Sequence, residues 1–77
     1  MKKLRLKVKE IADAKGMSMM ALTRKSYVAL NTIRSIYHDP YRVVNTDTLL
    51  RLADALEVSI FDLIEELPGD IEKGSEE

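Results

Sequence analysis

Leu4, Leu6 and Val8 alternate with Lys3, Arg5, Lys7 and Lys9, and this period of two predicts a short extended segment at the N-terminus. From Val8 onward the spacing lengthens. Val8, Ile11 and Ala12 share one face of a helix predicted over about Lys7 to Lys15 and closed by Gly16, which enters the left-handed region without a side-chain clash. Ser18 is placed to cap a second helix that carries Met19, Leu22 and the run Thr23 to Ser26. Tyr27-Val28-Ala29 reads as a short joint. A third helix, about Leu30 to Tyr37, ends before His38-Asp39-Pro40, because a residue preceding proline is pushed out of the helical region.

Asn45 or Thr46 can cap a fourth helix, in which Leu49, Leu52, Ala53 and Leu56 form one apolar stripe flanked by Arg51, Asp54 and Glu57. Ser59 and Asp62 have capping-box spacing and open a last helix with Phe61, Leu63 and Ile64, which Pro68-Gly69 breaks. The expected architecture is all-α, five helices in residues 1–67, with a short extended N-terminal segment. Residues 68–77 hold four acids, one Lys and an isolated Ile71, too little apolar surface to offset ordering, and are expected as a disordered acidic tail.

A chain of 77 residues, 45% hydrophobic and 32% charged, has room for one small core and little for a deep enclosed pocket. It contains no Cys and only His38 as an imidazole, so neither a disulfide framework nor a Cys/His zinc site can be built. No His stands beside a nucleophile and there is no Gly-rich phosphate loop; neither catalysis nor a cofactor is expected. The basic start runs into Glu10 and Asp13 instead of an apolar leader, and no 18 apolar residues occur in succession. A cytoplasmic protein without membrane contact is expected.

Net charge, -1 overall, is unevenly distributed. Residues 1–42 carry ten Lys/Arg against three acids, and residues 43–77 carry ten acids against Arg51 and Lys73. Such a dipolar chain can offer one basic face to a polyanion. The third helix supplies side chains suited to that task. On a helical wheel Ile36 and Tyr37 fall within about 60 degrees of Ile33, whereas Asn31, Ser35 and His38 lie on the far side with Arg34 on a flank. Asn and Arg can bond bidentately to adenine and guanine edges in the major groove. Asn31, Thr32, Arg34 and Ser35 are therefore candidate DNA-contacting residues, and Ser18, Lys25, Arg42 and Asn45 are candidate phosphate contacts around them.

Two short helices with a three-residue joint, Leu22, Val28, Ile33 and Ile36 as their anchors, and the later run Leu49-Leu50-Arg51-Leu52-Ala53-Asp54-Ala55-Leu56-Glu57-Val58-Ser59 together resemble the Cro/repressor-like helix-turn-helix regulators of the XRE family. The resemblance covers about residues 7 to 66. It implies five helices around one core, the third reading double-stranded DNA, and a homodimer on a two-fold symmetric operator. Three positions depart from that pattern. Met19 stands where Gln is frequent, Thr23 where a small Ala lets two helices approach, and Tyr27 where Gly is frequent; a positive φ at Tyr27 would cost energy, because non-Gly residues are disfavoured in that region. A transcriptional regulator, as repressor, is the expected function; the alternative is an adaptor or antitoxin-like module that binds a protein partner through its acidic helices or its Met-rich patch. The N-terminal segment is a further candidate for pairing as an edge strand with a second copy.

Overall fold

The computed structural model describes residues 2–68. The elements run β1 (Lys3–Leu6), α1 (Val8–Ala14), α2 (Met19–Ser26), α3 (Leu30–His38), α4 (Thr46–Leu56), α5 (Ile60–Leu63) and β2 (Ile64–Leu67). Residues 69–77 of the expected acidic tail lie outside the described residues.

The five expected helices are present, and their ends follow the expected chemistry. Ser18 Oγ accepts from Ala21 N at 3.1 Å, Asn45 Oδ1 accepts from Thr48 N at 2.8 Å, and Ser59 with Asp62 forms a complete capping box. Each side chain satisfies a backbone donor that the first helical turn leaves without a partner. At the other ends, Gly16, Tyr27 and Glu57 all take positive φ, which turns the chain out of its helix. α3 runs one residue further than expected, through His38. Asp39, next to Pro40, is the residue held extended, at φ -135 and ψ 91.

The last helix is shorter than its apolar spacing predicts. α5 is a single turn, and Ile64, with φ -124 and ψ 148, begins a strand antiparallel to β1. The register pairs Lys3 with Leu67, Leu4 with Glu66, Arg5 with Glu65 and Leu6 with Ile64. A four-residue segment with apolar ends fits either a helical turn or a strand. The open hydrogen-bonding edge of β1 settles the matter, because extended backbone without a partner is unfavourable. Opposite charges across the sheet add to it: Lys2 meets Glu66 at 2.9 Å and Arg5 meets Glu65 at 3.1 Å. The N-terminal segment thus pairs within its own chain through this edge.

One core lies between the helices. Leu22 of α2, Ile33 and Ile36 of α3, Leu52 and Leu56 of α4, Val8 of α1 and Leu63 of α5 are essentially inaccessible to solvent. Leu6 extends this core into β1. Two short backbone bonds then fasten the strand to the helical body, Leu6 N to Pro40 O and Lys7 N to Leu63 O, both 2.7 Å. The first of these fixes the loop that follows α3.

Candidate nucleic-acid interface

α2, the joint and α3 form a bihelical unit whose orientation is set by buried groups. Val28 is buried in the joint, and Ile33 and Ile36 seat α3 on the core. Ser26, at the end of α2, is 2% exposed; its Oγ donates to Leu22 O at 2.6 Å and accepts from Val28 N at 3.2 Å. A single hydroxyl thereby closes the last turn of α2 and starts the joint. Tyr27 takes φ 58 and ψ 26, the conformation expected where Gly is frequent, with its ring 82% exposed. From α4, Arg51 Nη1 approaches Tyr27 O at 3.5 Å while its Nε pairs with Asp47 at 3.0 Å. Helical spacing places Ser26 and Arg51 on their helices but does not assign them these contacts. A serine four residues beyond an apolar helix position was the available signal.

The outer face of α3 brings most of the candidate readers together. Asn31 and Arg34 are exposed, Thr32 and Ser35 are half-buried, and Asn31, Arg34, Ser35 and His38 line one shallow depression. Arg34 Nη1 lies 3.5 Å from Asn31 Oδ1, as i,i+3 neighbours on a helix should. Arg42, in the loop held by β1, reaches back across to α3, where its Nη1 donates to Ser35 Oγ. Ser18 and Asn45 sit at the N-termini of α2 and α4, with their oxygens engaged as caps. Ser18 still has a hydroxyl proton and Asn45 its amide N–H groups as donors. Lys25 is exposed near the end of α2.

Charge on this side of the molecule differs from what a count of the N-terminal half implies. Arg5 pairs with Glu10 and Glu65, Lys9 with Asp13 at 3.4 Å, and Lys2 with Glu66, so much of the basic N-terminus is neutralised within the chain. By contrast, no Asp or Glu occurs between Lys15 and Asp39. Arg24, Lys25 and Arg34 form no ion pair among the described residues. The basic surface is the bihelical unit itself, a signal visible in the sequence as an acid-free stretch.

A sequence profile describing the Cro/C1-type helix-turn-helix DNA-binding domain matches residues 7–68. The chain belongs to this family. The match spans α1 through β2 and includes both helices of the bihelical unit. Comparison with curated proteins and with solved structures gives no match. As a Cro/C1-type domain the chain is a DNA-binding regulator. Among the described residues no helix is long and apolar enough to cross a membrane.

Proposed function

We infer that the protein is a sequence-specific repressor that lays α3 in the major groove of double-stranded DNA and acts by occupying an operator. The observation that carries this reading is the exposed pair Asn31 and Arg34, 3.5 Å apart, on a helix whose opposite face is anchored by buried Ile33 and Ile36. Three residues along a helix advance about 4.5 Å, comparable to the rise between stacked base pairs. Asn31 reading adenine and Arg34 reading guanine on neighbouring base pairs follows from their donor and acceptor patterns. Thr32 lies beside them at the groove wall. Lys25, the Ser18 hydroxyl and the Asn45 amide act on the phosphates, with the N-termini of α2 and α4 adding backbone N–H groups.

Selection of bound duplexes from a random library at near-physiological salt tests the reading, with an Asn31→Ala/Arg34→Ala protein in parallel. The expected result is a repeated half-site that disappears in the variant; its spacing gives the geometry of a homodimer assembled on DNA. Absence of enrichment with either protein would refute sequence recognition. Arg34→Ala alone should cost about 1 to 3 kcal/mol on the selected site and relax one base position. Lys25→Ala should weaken all duplexes alike and reduce the salt slope by about one.

One observation favours a second reading, a module for binding a protein partner. Leu4, Tyr41 and Val43 are exposed, Val43 to 89%, and with Leu6, Arg42, Val44, Leu49 and Ile64 they line a mostly apolar groove. A pull-down with the full chain separates the two: a stoichiometric protein partner that competes with DNA and is lost in Val43→Asp favours the module, and recovery of no protein refutes it.

A further inference from the structure

We propose that Arg42 is a positioning residue for base selection, not a phosphate contact: its guanidinium holds Ser35 so that the serine hydroxyl faces the groove as a hydrogen-bond donor. The inference rests on α3 being the reading helix.

Observations on the side chain and on the loop that carries it support the proposal. Arg42 is half-buried, and its Nη1 donates to Ser35 Oγ across the gap between the loop and α3, while its Nε lies 3.5 Å from Val43 O. With one N–H on Ser35 Oγ and its Nε near the Val43 carbonyl, the guanidinium is oriented by the protein, and its planar fork keeps that orientation better than a flexible lysine would. The loop that carries it is also fixed. Asp39 Oδ1 accepts from Tyr41 N at 3.1 Å, Arg42 N donates to Asp39 O at 3.2 Å, and Pro40 O accepts from Leu6 N at 2.7 Å. Lys3 adds a cation over the Tyr41 ring, 5.5 Å from its centre. The side chain of Arg42 therefore starts from a backbone that β1 clamps in place.

The consequence is chemical. A free serine hydroxyl donates or accepts and so discriminates poorly between bases. With an Arg N–H bonded to its oxygen, Ser35 has one lone pair occupied, and the positive charge polarises its O–H outward. It becomes a better donor and a poorer acceptor. Purine N7, guanine O6 and thymine O4 accept such a proton, whereas cytosine offers only its N4 amino donor in the major groove. Cytosine is thus disfavoured at the base facing Ser35, and the discrimination depends on Arg42 although Arg42 touches no base.

The test uses the full chain and two readouts. In the free protein, 15N spectra of the arginine guanidinium groups should show slow rotation for Arg42 that becomes fast in Ser35→Ala. On the selected duplex, each base pair is varied in turn for wild type, Ser35→Ala, Arg42→Ala and the double variant. Both single variants are expected to lose roughly 5- to 30-fold discrimination against cytosine at one shared position, in line with about 1–2 kcal/mol for one base contact. The double variant should lose no more than either single one. Discrimination retained in Ser35→Ala, whose small substitution spares the fold, would overturn the proposal. So would Arg42→Ala weakening all duplexes equally with a salt slope smaller by about one and base preference unchanged, the signature of a phosphate contact. Freely rotating Arg42 in the wild type would overturn it without reference to DNA. Wild-type protein that enriches no duplex would instead remove the DNA-reading function, leaving a held guanidinium as a purely structural tie.

Discussion

Tyr27→Gly offers a direct measurement of what the tight joint costs this protein. The residue sits at φ 58, where a side chain crowds the backbone by about 1–2 kcal/mol relative to the right-handed region. Its ring is 82% exposed, so little buried surface is lost on removal. Against the relief stands the greater freedom of glycine in the unfolded chain, about 0.5–1 kcal/mol. The balance is a gain of up to about 1.5 kcal/mol, or a rise in Tm of up to about 6–12 °C for a domain of this size. Gly16 supplies the mirror experiment. It takes φ +68, and a Cβ placed there would meet nothing within 4 Å, so Gly16→Ala isolates the backbone penalty and should lower stability by a similar amount. Thermal and urea unfolding followed by circular dichroism read both variants. A fall in stability for Tyr27→Gly, with Gly16→Ala behaving as expected, would refute the reasoning. It would mean that Tyr27 makes contacts in the joint worth more than its strain.

Three further outcomes follow from the same structure. Ser26→Ala removes the hydroxyl that bridges Leu22 O and Val28 N and leaves a buried N–H without a partner; urea unfolding should show a loss of about 1–3 kcal/mol. Leu6→Ala empties the point where β1 enters the core, at 4% exposure, and should cost about 2–5 kcal/mol, with hydrogen exchange rising in both strands. Tyr37→Phe deletes a buried hydroxyl that has no partner among the described residues and should leave stability at neutral pH unchanged or higher by up to about 1 kcal/mol. Burial, and secondarily the Asp13 charge, raises the Tyr37 pKa above its ordinary value. The folded state then holds the phenol proton more tightly than the unfolded chain, so this contribution is complete below about pH 10 and is lost as pH rises through the folded value. Wild-type stability should fall more steeply above about pH 10 than that of the Phe variant, and parallel pH profiles would contradict this.

The bihelical unit was legible along the chain because its determinants are local. Ser18 caps from three residues away, Tyr27 turns the backbone at its own φ, and the spacing of Ile33 and Ile36 assigns Asn31 and Arg34 to the opposite face whatever packs below. The same holds for the capping box of α5, formed between Ser59 and Asp62. Where the partner is distant, local pattern ran out. Ile64–Leu67 has apolar ends that suit a helix or a strand. The choice between them comes from β1, whose Arg5 faces Glu65 sixty positions further on, and pairing two open backbone edges outweighs one more helical turn. That fold-back also changed the electrostatics, since it neutralised basic N-terminal residues and left the acid-free bihelical unit as the cationic surface. The contact between Arg42 and Ser35 belongs to the same class. Seven residues and a proline-containing loop separate them, and neither helical period nor residue type brings them together. The loop between them is tied to β1 through Leu6 N and Pro40 O, a tertiary contact that no local pattern encodes.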